Sequence, residues 1–72
     1  MNKYIIPYCI VRSKVEYSKV KLFTIYATSI EDCKEKIIQH FSESDFDTWE
    51  DFIEDSALNN IVFGEIIDVD EL

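Results

Sequence analysis

The sequence predicts an α+β fold, a small two-layer domain of order β-β-α-α-β. Its three-stranded, antiparallel-rich sheet carries two helices on one face. Three observations predict it. Two runs rich in Ile, Val and aromatic residues, 3–12 and 20–27, flank a polar stretch. Two segments then repeat apolar residues at helical spacing, each behind a capping signal. A last run, 61–69, places Ile61, Phe63, Ile67 and Val69 on one face by alternation. The 72 residues read as a single domain, 1–72, with no repeat, linker or low-complexity segment. A chain of this size buries only about 60% of its unfolded surface, so its core is thin.

The first strand contains Pro7, which predicts a sheet edge or a bulge there because proline has no N–H for the ladder. The stretch around Ser13, Lys14, Glu16, Ser18 and Lys19 holds no Asn-Gly or Asp-Gly, so the hairpin loop is expected to exceed two residues. Thr28 with Glu31 has the capping-box spacing, and Ile30, Cys33, Ile37, Ile38 and Phe41 follow at helical intervals, predicting a helix over 29–42. Asp47 followed by Glu50 is a partial second start signal. Trp49, Phe52, Ile53 and Ala57 form the stripe of a helix over 48–58, which Asn59-Asn60 ends. The tail from Asp68 to Leu72 is expected to fray.

Composition excludes several kinds of chemistry. The single Gly leaves no phosphate-binding glycine loop, and one His with two Cys gives little for a metal or a nucleophile. Asp45-x-Asp47-x-x-x-Asp51 lacks the central Gly and terminal Glu of a calcium loop. We therefore expect no enzyme activity, no metal and no cofactor. His40 is expected to serve the C-terminal end of the first helix through the helix dipole. No run approaches the roughly 18 apolar residues of a membrane span. The N-terminal apolar run has no small-residue cleavage site and reads as a strand, so the expected compartment is the reducing cytoplasm, with Cys9 and Cys33 as thiols.

The charge distribution is the most informative feature. Fifteen acids against seven bases give a net charge of -8, which argues against direct binding to nucleic acid or to an anionic membrane. All seven bases lie in residues 1–36, which carry four acids and a balance of +3; residues 37–72 carry eleven acids and no Lys or Arg. The densest stretch runs from Glu43 to Asp55: Glu43, Asp45, Asp47, Glu50, Asp51, Glu54 and Asp55. On a helical wheel with Asp47 at zero, Trp49, Phe52, Ile53 and Ser56 fall between roughly 140° and 240°, and the carboxylates of that helix, Asp47, Glu50, Asp51, Glu54 and Asp55, fall outside that arc. Like charges four residues apart cost a helix about 0.2–0.5 kcal/mol per pair, and no base in the segment relieves them. These seven residues are the candidate partner-binding surface, facing a basic protein. Arg12, Lys14, Lys19 and Lys21 cluster at the hairpin, where charge protects a strand edge. Among Tyr4, Tyr8, Tyr17 and Tyr26, rings exposed on the open sheet face would make a second contact surface.

In size, acidity, glycine poverty and its carboxylate track, the chain resembles the small acidic inhibitor proteins that phages encode, of the anti-CRISPR and DNA-mimic type. The resemblance rests on no diagnostic motif. It implies a stoichiometric, non-enzymatic inhibitor that occupies the basic channel of a nucleic-acid-binding host protein, such as a defence nuclease complex, in the host cytoplasm. The +3 N-terminal half departs from extreme DNA mimics and limits mimicry to the acidic track. Two alternatives share the residues: an antitoxin or immunity-type protein neutralising a basic toxin, and an assembly module that joins a complex, or a second copy of itself, through its sheet face.

Overall fold

The computed structural model describes residues 1–42 and 44–71. The elements are β1 (Asn2–Ile10), β2 (Lys21–Ala27), α1 (Ile30–Phe41), α2 (Trp49–Leu58), β3 (Ile61–Phe63) and β4 (Ile67–Asp68), then a short 3₁₀ turn at Val69–Glu71. The sheet is antiparallel throughout and has β1 at its centre. β2 lies on one side of β1, and β3 and β4 share the other. Both helices cover the same face, so the predicted two-layer α+β architecture is present. One expected strand has become two.

Pro7 explains that division. The expectation of an edge position was wrong, because β1 is the central strand; the alternative, a bulge, is what the chain builds. Tyr8 pairs with Phe63 and Ile5 pairs with Ile67, so three steps along β1 are matched by four on the opposing chain. The extra residue falls beside Pro7, where a ladder N–H is missing. Only the Pro7 carbonyl is used there, accepting from Gly64 N–H at 2.8 Å. A Cβ built on Gly64 would lie 2.8 Å from Pro7 Cγ, so glycine is needed for close approach. The inserted residue also flips side-chain parity. Ile61 and Phe63 face the helices, Ile66 turns in against the core, and Ile67 emerges on the opposite face beside Ile5. The expected single face of Ile61, Phe63, Ile67 and Val69 is therefore corrected.

The core lies between sheet and helices: Tyr4 and Ile6 from β1, Ile25 and Ala27 from β2, Cys33 and Ile37 from α1, and Phe52 from α2. Burying each large apolar side chain contributes about 1.5–3 kcal/mol. Phe41, Phe46, Trp49 and Phe63 surround it; Phe52 packs against Phe46, Trp49 and Phe63 at 5.3–5.7 Å between ring centroids. Ser56 is buried on the inner face of α2, as the helical wheel placed it, while Ala57, expected in the apolar stripe, is exposed.

Both helix starts lie one residue beyond the predicted caps. Ser29 Oγ, not Thr28, accepts from Asp32 N–H at 3.1 Å, and Asp32 Oδ2 accepts from Thr28 N–H at 3.0 Å. Thr48 Oγ1, not Asp47, accepts from Asp51 N–H at 3.1 Å. At the far end of α2, Asn60 takes a left-handed φ of 67°, which Asn tolerates well, and its carbonyl accepts from Val11 N–H. The hairpin loop is long, as expected: Ser13 Oγ accepts from Val15 and Glu16 N–H groups, and Ser18 exchanges hydrogen bonds with Ile10. The tail is anchored and not frayed through residue 71, since Asp70 Oδ2 accepts from Lys3 N–H at 3.1 Å. Leu72 lies outside the described residues.

Gly64→Ala should destabilise the fold by about 1–3 kcal/mol through overpacking against the proline ring, read by urea unfolding. In a Pro7→Ala background the same change should cost distinctly less. An equal penalty in both backgrounds would assign the glycine requirement to something other than Pro7.

Candidate functional site

The structure sorts the seven predicted carboxylates into three groups. Glu50, Asp51, Glu54 and Asp55 are on α2, with Glu50–Glu54 and Asp51–Asp55 as neighbouring i,i+4 pairs. Asp47 precedes the Thr48 cap, so it does not head the second row as the wheel had it. Asp45 lies further back, where it lines a shallow cavity of about 300 Å³ with Glu35, Ile38, Gln39 and Phe46. The track thus bends away from the helix at its N-terminal end. Glu43 lies outside the described residues.

Glu50, Asp51 and Glu54 are exposed. Asp55 is half-buried, and its Oδ2 accepts from Asn59 Nδ2 at 3.4 Å. Among the described residues the one ion pair is Lys36–Asp32, at 3.2 Å on α1, so no base offsets the α2 carboxylates. Glu50 and Asp51 gain from the positive end of the helix dipole; the last turn of α2 carries no base. Repulsion along α2 is therefore borne by its packing, chiefly Phe52 and Trp49.

The hairpin bases lie elsewhere. Arg12, Lys14, Lys19 and Lys21 are exposed at the hairpin end. Lys34 sits over the Trp49 ring at 5.7 Å, a cation–π contact that no linear spacing announces, because its partners come from different helices. Together with Ile30, Ile53, Phe63, Gly64, Glu65 and Ile66 they line an open cavity of about 450 Å³. This groove offers one cation, one carboxylate and apolar walls, with no nucleophile and base in contact. His40 does occupy the last turn of α1 as expected, and it also stacks on Phe23 at 4.4 Å between centroids. Among the described residues no three His, Cys, Asp or Glu side chains converge to hold a metal ion, and no helix is long and apolar enough to cross a membrane.

The open face of the sheet is the surface that sequence reasoning least resolved. Tyr4 is buried, and Tyr8 points to the helices, where it packs on Phe41 and Phe63. Tyr17 is exposed on the hairpin loop, so only Tyr26 places its ring on the open face. Around it stand Leu22 and Thr24 of β2, Ile5, Pro7 and Cys9 of β1, Val62 of β3 and Ile67 of β4, with Lys3 as the charged member of these strands on that face. Leu22 is 64% exposed and Tyr26 57%. An apolar patch left in the open in this way marks an interaction surface more often than chance. The signal was present in the alternation of β2, but the strand's inward residues had first to be known.

In comparison with known proteins, the chain matches no family model, no curated protein sequence and no solved structure.

Two titrations follow from the geometry. Hydrogen bonds from Thr28 N–H, then Lys36, hold the Asp32 carboxyl below its usual 3.8. A depressed folded pKa stabilises the fold above the unfolded value and loses that contribution as pH falls through the folded one. The gap in melting temperature between wild type and Asp32→Asn should therefore be constant near neutrality and close below about pH 4. A gap that persisted down to about pH 2 would assign the effect to side-chain shape and not to charge. Burial, then the Asp32 charge, pushes the Cys33 thiol up. Cys9 and Cys33 lie on opposite faces of the sheet, both as free thiols. With iodoacetamide, Cys9 should react in the native protein and Cys33 only at the rate of unfolding. Mass spectrometry showing equal labelling would contradict this core.

Proposed function

We propose that the chain is a non-enzymatic inhibitor, acting in the cytoplasm, that inserts the acidic face of α2 into the basic, nucleic-acid-binding site of a host protein such as a defence nuclease complex. One observation carries the reading: Glu50, Asp51 and Glu54 stand exposed on one helix, with no base paired to them among the described residues. Such a row keeps its full field for a partner, which raises association rate and selects for opposite charge. Asp55 and Asp47 flank it, and the basic hairpin is kept to a separate part of the surface. Anti-CRISPR and DNA-mimic inhibitors are the kind of protein this describes; an antitoxin opposing a basic toxin would use the same electrostatics. A second reading, an assembly module, is favoured by a different observation, the apolar open face with Leu22, Tyr26, Val62 and Ile67 exposed.

The combined variant Glu50→Gln, Asp51→Asn and Glu54→Gln removes three charges and leaves half-buried Asp55 on its Asn59 contact. It should fold as wild type with nearly unchanged stability. Relieving the Glu50–Glu54 and Asp51–Asp55 pairs gains about 0.2–0.5 kcal/mol each, while neutralising Glu50 and Asp51 forfeits a helix-dipole contribution of about 0.3–1 kcal/mol each. Proteins captured from host lysate at low salt should bind the variant more slowly, and the deficit should shrink as salt shortens the screening length towards about 8 Å. Neutralising Lys14 and Lys19 should change little. Equal association rates for variant and wild type at low salt would rule out the acidic face, and partners retained at high salt would support the assembly reading.

A further inference from the structure

β2 is the outer strand of the sheet, and its free edge is written into the β1 register. Even-numbered residues of β1 turn their backbone groups to β2, as Ile10 does towards Ser18; odd-numbered ones turn to the other side, as Lys3 and Pro7 do, and Val11 just beyond the strand continues the pattern. Pro7 is opposite Leu22, Ile5 opposite Thr24 and Lys3 opposite Tyr26. In those wide pairs the β2 residues direct their N–H and C=O groups out of the sheet. Among the described residues, only the Tyr26 carbonyl meets a side chain there, accepting from Lys36 Nζ at 3.1 Å. The edge is seven residues long and carries no proline and no acid; its one charge, Lys21, expected to protect the edge, lies at its end and turns to the helix layer, and its Leu22 and Tyr26 side chains are more than half exposed. Edges of this kind are pairing templates unless blocked.

We propose that the occupant of this edge is a second copy of the same chain, paired antiparallel through β2 about a twofold axis at Thr24. Self-complementarity supports this choice. Residues 21–27 are centred on Thr24, so Thr24 meets Thr24, Leu22 meets Tyr26 of the second copy, and Lys21 meets Ala27 of the second copy. The three outward-facing positions then form about six main-chain hydrogen bonds, and each Leu22 packs on a tyrosine ring. No like charges oppose one another.

Charge supports the same occupant. Lys21, opposite Tyr8, points to the helix layer. In the twofold register it reaches the C-terminal end of the second copy's β2, next to Thr28, whose N–H is bound by the Asp32 carboxylate. Each Lys21 thus comes beside an Asp32 of the second copy, twice by symmetry. Lys36, which bridges Asp32 and Tyr26, gives up the Tyr26 carbonyl to Leu22 N–H of the second copy and keeps its ion pair. The net charge of -8 does not oppose the approach at this edge, because α1 lies over β2 while the acidic α2 lies over β3, across the sheet. The joined sheet runs β3-β1-β2-β2-β1-β3 and unites the two apolar open faces. This inference does not depend on the acidic-face reading.

The test is sedimentation of the full chain from micromolar to millimolar concentration. Wild type should pass from the monomer to the dimer mass. Thr24→Pro removes an outward N–H with no internal partner, so it should keep the wild-type circular dichroism and melting temperature and lose the dimer. Lys21→Glu should raise the dimer dissociation constant by about tenfold or more, an effect that salt reduces. Thr24→Cys, in a Cys9→Ser background, should give a disulfide-linked dimer on mild oxidation, because an axial hydrogen-bonded pair has Cα atoms about 5.5 Å apart. Leu22→Cys alone should not cross-link, and a mixture of Leu22→Cys with Tyr26→Cys should. A wild type that stays monomeric at millimolar concentration overturns the proposal. A Thr24→Pro protein that dimerises like wild type overturns it as well, placing any contact on the open face.

Discussion

Everything else in the fold is arranged around one missing hydrogen-bond donor. β1 is the strand that both β2 and the C-terminal chain pair with, and it contains the only proline. A central strand cannot carry proline in a regular ladder, so the opposing chain steps out by one residue where Pro7 lies. That step requires Gly64, divides β3 from β4, and reverses which side chains face the core. Ile66 is drawn in and Ile67 is put out. The sole glycine and the sole proline are thereby in contact, each explaining the other.

The consequence for the core is a division of labour. Tyr4, Ile6, Ile25 and Ala27 supply the sheet side, with Cys33, Ile37 and Phe52 closing over them. A small domain has little stability to spare. α2 nonetheless carries two like-charge i,i+4 pairs that no base ion-pairs among the described residues, a cost that the aromatic contacts of Phe52 with Phe46, Trp49 and Phe63 offset. The acidic surface and the aromatic contacts of Phe52 occupy opposite sides of the same helix, as the amphipathic pattern of α2 requires.

The molecule thus has two surfaces of different chemistry. One is the carboxylate face of α2, exposed at Glu50, Asp51 and Glu54 and without an ion-paired base among the described residues. The other is the β2 edge with the open sheet face, apolar and nearly free of charge. On the one covered face α1 lies over β2 and α2 over β3, at opposite lateral edges of the sheet, so the two surfaces are separated within a small body. Electrostatic capture by one and main-chain pairing by the other would not compete for the same residues. A dimer joined at β2 would display two α2 helices at its far ends, which increases avidity for a partner that offers two basic sites.

Local chemistry was readable from the chain alone. The predicted spans 29–42 and 48–58 placed both helices within a residue of their observed bounds, because burial of Cys33, Ile37 and Phe52 enforces the helical repeat. The acidic face of α2 was readable for the same reason, since exposed carboxylates and buried apolar residues must sort to opposite arcs. The caps missed by one position, at Thr28 and Asp47, because several residues able to cap stand side by side and only the packed depth of the helix selects Ser29 and Thr48. Relations between distant segments were decided in the tertiary structure. Which strand is central, where the extra residue falls, whether Ile67 points in or out, and which edge of the sheet stays open all depend on pairing partners about 60 residues apart in the chain. Hydrophobic patterning specifies that a residue alternates but not what lies across from it; that requires a neighbour, and here the neighbour is set by Pro7.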